Sequence, residues 1–536
     1  MAKESSKGQN YLHGAAIMTV GVILMKILGA IYKIPLGNML GDDGYALFLS
    51  AYYVYSVFLT LATAGFPVAL SRMVSAAHTQ GRPMQERRIY KVAWATFFVL
   101  GIICAAVMFL FPDWLAGLLH NPDTALCIKV LSPAVLLCCI ASAYRGLTQG
   151  YGNMIPTTVS QVLDVVAKVA TGLILAWYFV KEGSQLSVSS AGAIFGVTAG
   201  SLAALVYMML YKAKNYRFEV VAEPDIPDSR GEIFKELVRI GIPIALGSVV
   251  LALLNMIDSG LCMARLQDAA GYSYHDAKTL YGVYGKAQTL FNLPAAFITP
   301  LTVSIVPAIA AEIVRRNNKG AAKISEDSLR ISMALALPMG VGLAVLSDPI
   351  MKVLYTNAHE AGGMLLCLLG IASVFVCFSL MSTAVLQASG SERLTVYSII
   401  AGGVVKILVN WFVVAIPEVN IYGAPIGTIC CYITMCVMNL IFIRRSIKAP
   451  ISMKNVFIRP LLPTVIMGAV AYVIYYGAMI VLPGDGRLYM IVGMGAAIAA
   501  AVIVYAVAVI KLRAITAEDM TLIPKGEKIA KLLKMK

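Results

Sequence analysis

Nine charged residues interrupt apolar runs that are long enough to cross a membrane. Seven of them are basic and two are acidic, so the runs carry an excess of positive charge. A Lys, Arg or Asp at the centre of a bilayer costs about 2.5 to 3.5 kcal/mol, which directs such side chains toward water, protein or a ligand. A bound anion would compensate the excess charge. The nine residues are Lys26, Lys33, Lys129, Arg145, Lys168, Lys286, Lys406, Asp164 and Asp258.

Lys26 is the first candidate for a contact with an anionic ligand. It lies about 12 residues, or roughly 18 Å, into the first apolar run, and that run contains no acidic residue. Lys33, Lys286 and Lys406 are further candidates. Lys33 lies one turn from the outer end of its run, and Lys406 has an alternative partner in Asp258 on another run.

Other charged residues have explanations that need no ligand. Lys168 follows Asp164 by four residues, which is about one helical turn, so the two side chains can neutralise each other. Lys129 and Arg145 lie near opposite ends of the fourth run, from where long side chains reach the headgroups. Arg72, at the cytosolic end of the second run, would recruit an anion or contact lipid phosphate.

The apolar runs predict an all-α polytopic membrane protein with about 14 transmembrane helices. A bilayer core about 30 Å thick needs roughly 20 apolar residues per helix. Hydrophobic residues make up 59% of the chain and charged residues only 13%, which a soluble protein of this length would not need. The first run is too long for a secretory signal and is predicted to be the first span.

The basic residues outside the runs predict the orientation of the chain. If the amino end is cytosolic, 31 of the 43 Lys and Arg residues lie in cytosolic breaks and five in outer breaks. This asymmetry is the positive-inside rule, and it places both termini in the cytosol. The formal net charge of +15 therefore needs no nucleic-acid partner.

A weak internal repeat predicts the domain organisation. Residues 147–175 resemble residues 386–413, with four identical residues at a separation of 238, namely Gln149, Gly152, Thr157 and Lys168 against Gln387, Gly390, Thr395 and Lys406. The repeat predicts two parallel six-helix bundles, at 1–217 and 240–448, joined by a cytosolic linker at 218–239. Helices 13 and 14 occupy 449–512, and a basic tail occupies 513–536. Such halves can rock around a central cavity and so give alternating access.

The sign of the buried charge separates the classes of transported molecule. A drug exporter driven by protons or sodium should bury several carboxylates, and this chain buries two. A membrane-embedded glycosyltransferase should carry an acid, a base or a metal site on a sizeable loop, whereas the outer breaks here are short. The ten cysteines lack metal-ligand spacing, so neither a metal nor a cofactor is expected. A lipid-linked pyrophosphate sugar carries negative charge that the excess of lysine would neutralise. The protein is expected to be a monomer.

Four motifs in this chain resemble a known family. They are KILGAIYKIP at 26–35, GDDG at 41–44, TAGFPVALSR at 63–72 and VPAIAAE at 306–312. They are similar to the polysaccharide transporter branch of the multidrug/oligosaccharidyl-lipid/polysaccharide flippase superfamily, and above all to its sporulation and lipid II flippase members. The resemblance covers nearly the whole chain.

The resemblance implies that an undecaprenyl-pyrophosphate-linked sugar, such as lipid II, moves from the inner to the outer leaflet of a bacterial cytoplasmic membrane. A capsule or teichuronic repeat unit is an alternative cargo. The resemblance also implies that helices 13 and 14 form a groove for the polyprenyl tail. The basic residues that it assigns to the pyrophosphate are Lys26, Lys33, Arg72 and Lys286.

Some relatives in this superfamily hold sodium with acidic residues on the seventh and eleventh spans. Asp258, with Asn255 one turn before it, matches the seventh span. The eleventh span offers Lys406 and Asn410 instead of a carboxylate. The hypothesis that follows is that the Lys406 ammonium replaces the ion.

Overall fold

The computed structural model describes the backbone of residues 2–216, 225–481 and 486–512. It describes the side chains of the same ranges apart from residues 2–20, 22, 23, 26, 27, 30, 303 and 304. The predicted tail at 513–536 and the first part of the predicted linker, 218–224, lie outside the described residues.

Every regular element within the described ranges is helical. The helices are α1 Ala2–Thr63, α2 Phe66–Thr79, α3 Pro83–Leu110, α4 Pro112–Leu118, α5 Ala125–Gly150, α6 Ile155–Lys181, α7 Leu186–Asn215, α8 Arg230–Asp268, α9 Tyr274–Phe291, α10 Leu293–Val314, α11 Asn318–Val345, α12 Ser347–Leu354, α13 Ala361–Ala388, α14 Glu392–Val413, α15 Gly423–Ile447, α16 Arg459–Val481 and α17 Arg487–Lys511. Short 3-10 turns at Pro122–Thr124 and Asn420–Tyr422 and a π-turn at Lys454–Ile458 complete the set.

Twelve helical segments of the described chain are long and apolar enough to cross a membrane. A thirteenth is obtained if Tyr274–Thr302 and Ile305–Val314, which are bent by 41° relative to each other, form one span. Pro300 and Pro307 flank this bend, and each removes a backbone donor. The prediction of an all-α polytopic membrane protein is confirmed. The total of 14 spans and the pairing into two parallel bundles stay predictions.

Two glycines mark breaks near the amino end. Gly41, with φ 69° and ψ −168°, separates two helical pieces within α1, a conformation that glycine adopts without steric cost. Gly65 lies between α1 and α2, and a Cβ atom there would collide with the backbone carbonyl of Gly241 on α8. The run predicted as the second span is therefore divided where α8 packs against it.

The chain folds as two compact units, Met1–Ala264 and Arg265–Lys536. The division lies within α8, whereas the sequence placed the start of the second bundle at residue 240. The first unit has one continuous core of buried apolar side chains, to which α8 contributes Ile233 and Leu237. These two residues attach the first half of α8 to the first unit.

Described residues of the second unit form two apolar clusters that have no residue in common. One joins α10, α11, α13 and α15 around residues such as Phe378 and Met381. The other joins α16 and α17 to the end of α11, with Met467, Tyr475 and Leu346 buried together. The predicted helices 13 and 14 therefore pack as a pair on the second unit. Whether they form a groove for a lipid tail stays a prediction.

Close packing of α6 against α7 sets the position of one charged pair. Gly196 on α7 lies against the backbone carbonyl of Lys168, and Gly200 lies against the backbone and carboxylate of Asp164. A Cβ atom at Gly196 would come within 2.5 Å of the Lys168 carbonyl oxygen. Glycine at these two sites lets the helices approach closely, as small residues do in membrane proteins.

Candidate functional site

A cavity of about 290 Å³ lies within the first unit and is lined by three charged residues of the predicted spans. Arg145 comes from α5, and Asp164 and Lys168 come from α6. A water molecule occupies about 30 Å³ of liquid, so the cavity has room for roughly ten water volumes. The other lining residues are Met25, Tyr52, Tyr55, Leu59, Thr63, Cys138, Ser142, Gln161, Val165 and Val197.

Asp164 and Lys168 do not form the direct ion pair that their spacing allows. In the part of the chain that the structure describes, the Asp164 carboxylate interacts electrostatically with Lys168 and Arg145, but neither cation lies within the 4.0 Å of an ion pair. Gly200 of α7 packs closely against the carboxylate. The sequence left mutual neutralisation open for this pair, and the structure leaves both side chains directed at the cavity.

Arg145 was predicted to reach the headgroups, and this prediction is wrong. Its side chain instead lines the cavity, where Nε donates a hydrogen bond of 2.9 Å to the hydroxyl of Ser160 on α6. Ser160 is fully buried. The bond ties α5 to α6 and keeps the guanidinium inside the first unit. Lys129, the other residue assigned to the headgroups, is exposed, with Nζ 4.9 Å from the ring centre of Phe109.

Lys33 adds a third positive charge to this group. It is partly buried on α1, and its ammonium group is repelled by that of Lys168. Lys168 and Arg145 act on the Asp164 carboxylate and Lys33 lies near Lys168, so these four residues carry a net formal charge of +2. We call Lys33, Arg145, Asp164 and Lys168 the first-unit charge cluster. Uncompensated charge in a low-dielectric interior attracts a counter-ion strongly.

Neutral hydrogen-bonding groups and apolar side chains such as Leu59 and Val165 line the rest of the cavity. The hydroxyl of Tyr55 lies 3.5 Å from Sγ of Cys138, which lies 3.1 Å from Oγ of Ser201. The rings of Tyr52 and Tyr55 are 5.8 Å apart. Such a lining supplies donors for a compact anion, and its volume suits a diphosphate more closely than a whole saccharide.

The remaining predicted residues of the first unit are spread along α1, α2 and α8. The side chain of Lys26 lies outside the described residues. Arg72 is exposed on α2, and Asn255 is exposed on α8. Asp258 is 6% exposed, with Sγ of Cys262 at 4.0 Å from its carboxylate. Arg72, Asn255 and Asp258 do not line the cavity of the charge cluster.

The predicted residues of the second unit lie on two helices. Lys286 on α9 is 4% exposed, and its Nζ lies 5.1 Å from the ring centre of Tyr355. The hydroxyl of Tyr355 donates a hydrogen bond of 3.4 Å to the Lys286 carbonyl. Lys406 is partly buried on α14. Asn410, one turn further along α14, is fully buried against Gly427.

The described residues contain no group of three or more His, Cys, Asp or Glu side chains that could hold a metal ion. All ten cysteines are present as free thiols. The chemistry that the charge cluster offers is therefore the binding of an anion by fixed positive charges and hydroxyl donors.

Similar proteins are known from bacteria. A sequence model of the family described as polysaccharide biosynthesis protein matches residues 11–312. The lipid II flippase MurJ of Bacillus subtilis is 26% identical over 518 residues, which cover 92% of this chain and 94% of that protein. Stage V sporulation protein B of Bacillus subtilis is 24% identical over 458 residues, which cover 83% of this chain and 86% of that protein.

Solved structures of transporters share the fold. A lipid II flippase MurJ in an inward closed conformation matches with a TM-score of 0.67 and 13% identity, covering 93% of this chain and 99% of that one. An inward-facing multidrug resistance MATE family transporter of the MOP superfamily matches with a TM-score of 0.65 and 16% identity, covering 81% and 98%. The family match spans more than half of the chain, and the chain therefore belongs to the polysaccharide biosynthesis protein family and has the fold of the MOP-superfamily transporters.

Proposed function

We propose that this protein is a flippase for an undecaprenyl-pyrophosphate-linked sugar, with lipid II as the cargo, and that it works by alternating access. Movement is from the inner to the outer leaflet of the bacterial cytoplasmic membrane, with both termini in the cytosol. Similarity to MurJ over more than nine-tenths of both chains supports the transport of a lipid-linked sugar. Membership of the polysaccharide biosynthesis family supports the same class of cargo.

The first-unit charge cluster is the observation that carries the proposal. A pyrophosphate brings negative charge that ammonium and guanidinium groups bind with charge-assisted hydrogen bonds. The charged residues that line the cavity carry a net +1, and Lys33 adds a further positive charge near Lys168. The cavity volume of about 290 Å³ suits the diphosphate rather than the sugar or the polyprenyl chain. We assign Lys33, Arg145 and Lys168 to this contact, with Asp164 limiting how tightly the anion is held.

The cations outside the cluster belong to the same proposal. Lys26, Arg72, Lys286 and Lys406 are assigned to successive contacts with the pyrophosphate during transport. A weak site that is shared among several cations releases its ligand more readily than one deep site. A flippase needs such release, because tight binding at one step slows the next.

The alternatives to lipid II are other lipid-linked sugars and, in a different class, drugs. Similarity to stage V sporulation protein B supports a sporulation role with a related lipid-linked precursor, and a capsule or teichuronic repeat unit would use the same chemistry. A drug exporter is the rival from another class, since a MATE family transporter shares the fold. The excess of buried positive charge favours an anionic cargo over an organic cation.

Depletion of the protein followed by mass spectrometry of the lipid-linked intermediates tests the proposal. We expect an undecaprenyl-pyrophosphate sugar to accumulate, and its mass to identify the cargo. Expression of this chain should also restore growth to a strain that lacks its lipid II flippase. Failure to accumulate any lipid-linked sugar, together with a gain in sensitivity to cationic drugs, would show that the chain is an exporter.

The Lys406 hypothesis concerns the driving force. A lysine that stands where relatives place a carboxylate supplies a fixed charge, and transport should then need no sodium. We propose that the Lys406 ammonium on α14 takes the place of the ion. A clear dependence of transport on sodium that is lost in Asp258→Ala would contradict this assignment.

A further inference from the structure

A second and larger cavity opens between α3 and the first half of α8, within the first unit. Its volume is about 980 Å³. It shares no lining residue with the cavity of the charge cluster, and none of the predicted substrate-binding residues lines it. We call it the α3–α8 groove. Its lining residues are Phe66, Pro83, Met84, Arg87, Arg88, Lys91, Val92, Ala95, Thr96, Val99, Leu100, Ile103, Pro227, Arg230, Phe234 and Val238.

The groove changes from charged to apolar along its length. Four cations lie at the end that is predicted to face the cytosol, namely Arg87, Arg88, Lys91 and Arg230. Beyond them the wall of α3 is formed by Ala95, Val99 and Ile103, which are exposed in the structure, and α8 adds Phe234. A charged mouth above an exposed apolar wall matches the polarity of a lipid.

The length of the apolar wall matches one leaflet. From Lys91 to Ile103 the helix advances 12 residues, which is about 18 Å at 1.5 Å per residue. Half of a hydrocarbon core about 30 Å thick is roughly 15 Å. An acyl chain of the inner leaflet would therefore run along α3 while its headgroup stays at the cations.

The carboxylates near the mouth are already engaged within the protein. Asp225 accepts hydrogen bonds from the backbone amides of Met84 and Gln85 at 2.8 and 3.0 Å. Asp228 accepts from Arg82 at 3.3 Å and from the Gln85 side chain at 2.7 Å. These bonds fasten residues 225–228 onto the start of α3.

Two other carboxylates close to the mouth are also occupied. Glu86 contacts His78 at 3.1 Å and accepts a hydrogen bond from the hydroxyl of Tyr151. Glu232 accepts from the backbone amide of Ser229 at 2.9 Å. Acidic side chains near the groove are therefore used to cap helices and to join loops.

The cations at the mouth, in contrast, are not neutralised by these carboxylates. Arg88 donates to the backbone carbonyls of Pro227 and Asp228 at 3.2 and 3.1 Å, and neutral acceptors orient the guanidinium without compensating it. Among the residues that the structure describes, no acidic group pairs with Arg87, Lys91 or Arg230. The mouth is thus a fixed cluster of positive charge at the expected level of the lipid phosphates.

We infer that the α3–α8 groove binds an acidic phospholipid of the inner leaflet, with its phosphate at Arg88, Lys91 and Arg230 and one acyl chain along Ala95, Val99 and Ile103. Basic pockets between transmembrane helices on the cytoplasmic side bind anionic headgroups. The bound lipid joins α3 to α8, two helices that residues 225–228 already hold together. The groove is a site for a resident lipid, distinct from the path of the transported one, because its apolar wall matches one leaflet.

Native mass spectrometry of the detergent-solubilised full chain tests the inference. Phosphatidylglycerol and phosphatidylcholine with the same acyl chains are the two probes, and undecaprenyl phosphate is the third. We expect phosphatidylglycerol to bind more tightly than phosphatidylcholine. Removal of a cation near an anionic lipid surface weakens binding roughly fivefold, so the double variant Lys91→Gln/Arg230→Gln should bind phosphatidylglycerol roughly 30-fold more weakly. The matched control is Lys235→Gln, an exposed lysine of α8 outside the groove.

A second variant tests the apolar wall without changing the charge. Ala95 is exposed and lines the groove, so Ala95→Phe fills the path of the acyl chain and leaves the fold intact. It should reduce phosphatidylglycerol binding while the affinity for glycerophosphate, which has no acyl chain, stays the same. Equal binding of the two phospholipids would overturn the inference. So would equal loss in Lys235→Gln and the double variant, or a preference of the groove for undecaprenyl phosphate. None of these outcomes depends on the identity of the transported cargo.

Discussion

Asp164→Asn and Lys168→Gln should have opposite effects if the cavity of the charge cluster binds an anion. Lys168→Gln lowers the net charge of the cluster from +2 to +1, whereas Asp164→Asn raises it to +3. An anionic ligand should bind more weakly to the first variant and at least as tightly to the second. A cation or proton site would respond in the reverse order, because the carboxylate would then be the essential group.

The size of the cavity determines how much affinity for the anion the Lys168→Gln variant should lose. A sphere of 290 Å³ has a radius of about 4 Å, so an anion at its centre lies about 4 to 8 Å from the charges on the wall. At an effective dielectric constant of about 20, one unit charge contributes about 4 kcal/mol at 4 Å and about 2 kcal/mol at 8 Å. Lys168→Gln should therefore weaken binding of the anion by a factor between about 30 and 1,000.

The assay is growth of a strain that lacks its lipid II flippase, combined with quantification of lipid-linked intermediates by mass spectrometry. Immunoblots of the membrane fraction confirm equal amounts of each variant. Lys129→Gln is the matched control, because it removes one exposed lysine from α5 without touching the cavity. If Asp164→Asn abolishes complementation while Lys168→Gln behaves as the parent, the cavity is a cation site and the reasoning from charge is wrong.

Three further predictions concern single residues of the first unit. Gly200→Ala should destabilise the protein by about 1 to 3 kcal/mol, because a Cβ atom there overlaps the Asp164 carboxylate. The control is Gly247→Ala, since nothing lies within 4 Å of a Cβ atom at that position. This control should leave the melting temperature in detergent unchanged. Lys26→Ala should abolish complementation while the protein stays inserted and abundant, and full complementation would remove Lys26 from the substrate site. Gln85→Ala breaks two hydrogen bonds with Asp228 and should cost about 1 to 3 kcal/mol; an unchanged melting temperature would show that these bonds contribute nothing.

The fold class was readable from the sequence because the bilayer imposes one rule on every span. Each span must satisfy its own backbone hydrogen bonds and present apolar side chains, so hydropathy alone identifies the helices. Breaks within helices were harder to assign. The division at Gly65 depends on the approach of Gly241 from α8, and a contact between residues so far apart leaves no local pattern in the chain.

Three of the four residues of the charge cluster were candidates in the sequence. The sequence singled out Lys33, Asp164 and Lys168, but it assigned Arg145 to the headgroups. A signal was present, since Cys138, Ser142 and Arg145 follow a spacing of four and three that places them on one face of α5. Polar residues at this spacing indicate that this face of the helix borders an internal cavity. A short distance from a helix end indicates only that a side chain can reach the membrane surface.

Gln161, Asp164 and Lys168 form a matching polar face on α6. Combining the two faces would have predicted the cavity before any coordinates. The α3–α8 groove had no comparable signal. Its cations lie on two helices separated by more than a hundred residues. The hydrogen bonds of residues 225–228 and the burial of Ile233 and Leu237 in the core of the first unit bring these helices together.

The capping of α3 by Asp225 has a consequence for biosynthesis. The amides of Met84 and Gln85 receive their carboxylate partner from a residue about 140 positions later in the chain. During translation, α3 enters the membrane long before residue 225 leaves the ribosome. Until then the amides of Met84 and Gln85 in the first turn of α3 are exposed to water. The loop before α8 therefore completes a helix that was inserted much earlier, and assembly of the first unit ends only when the start of α8 arrives.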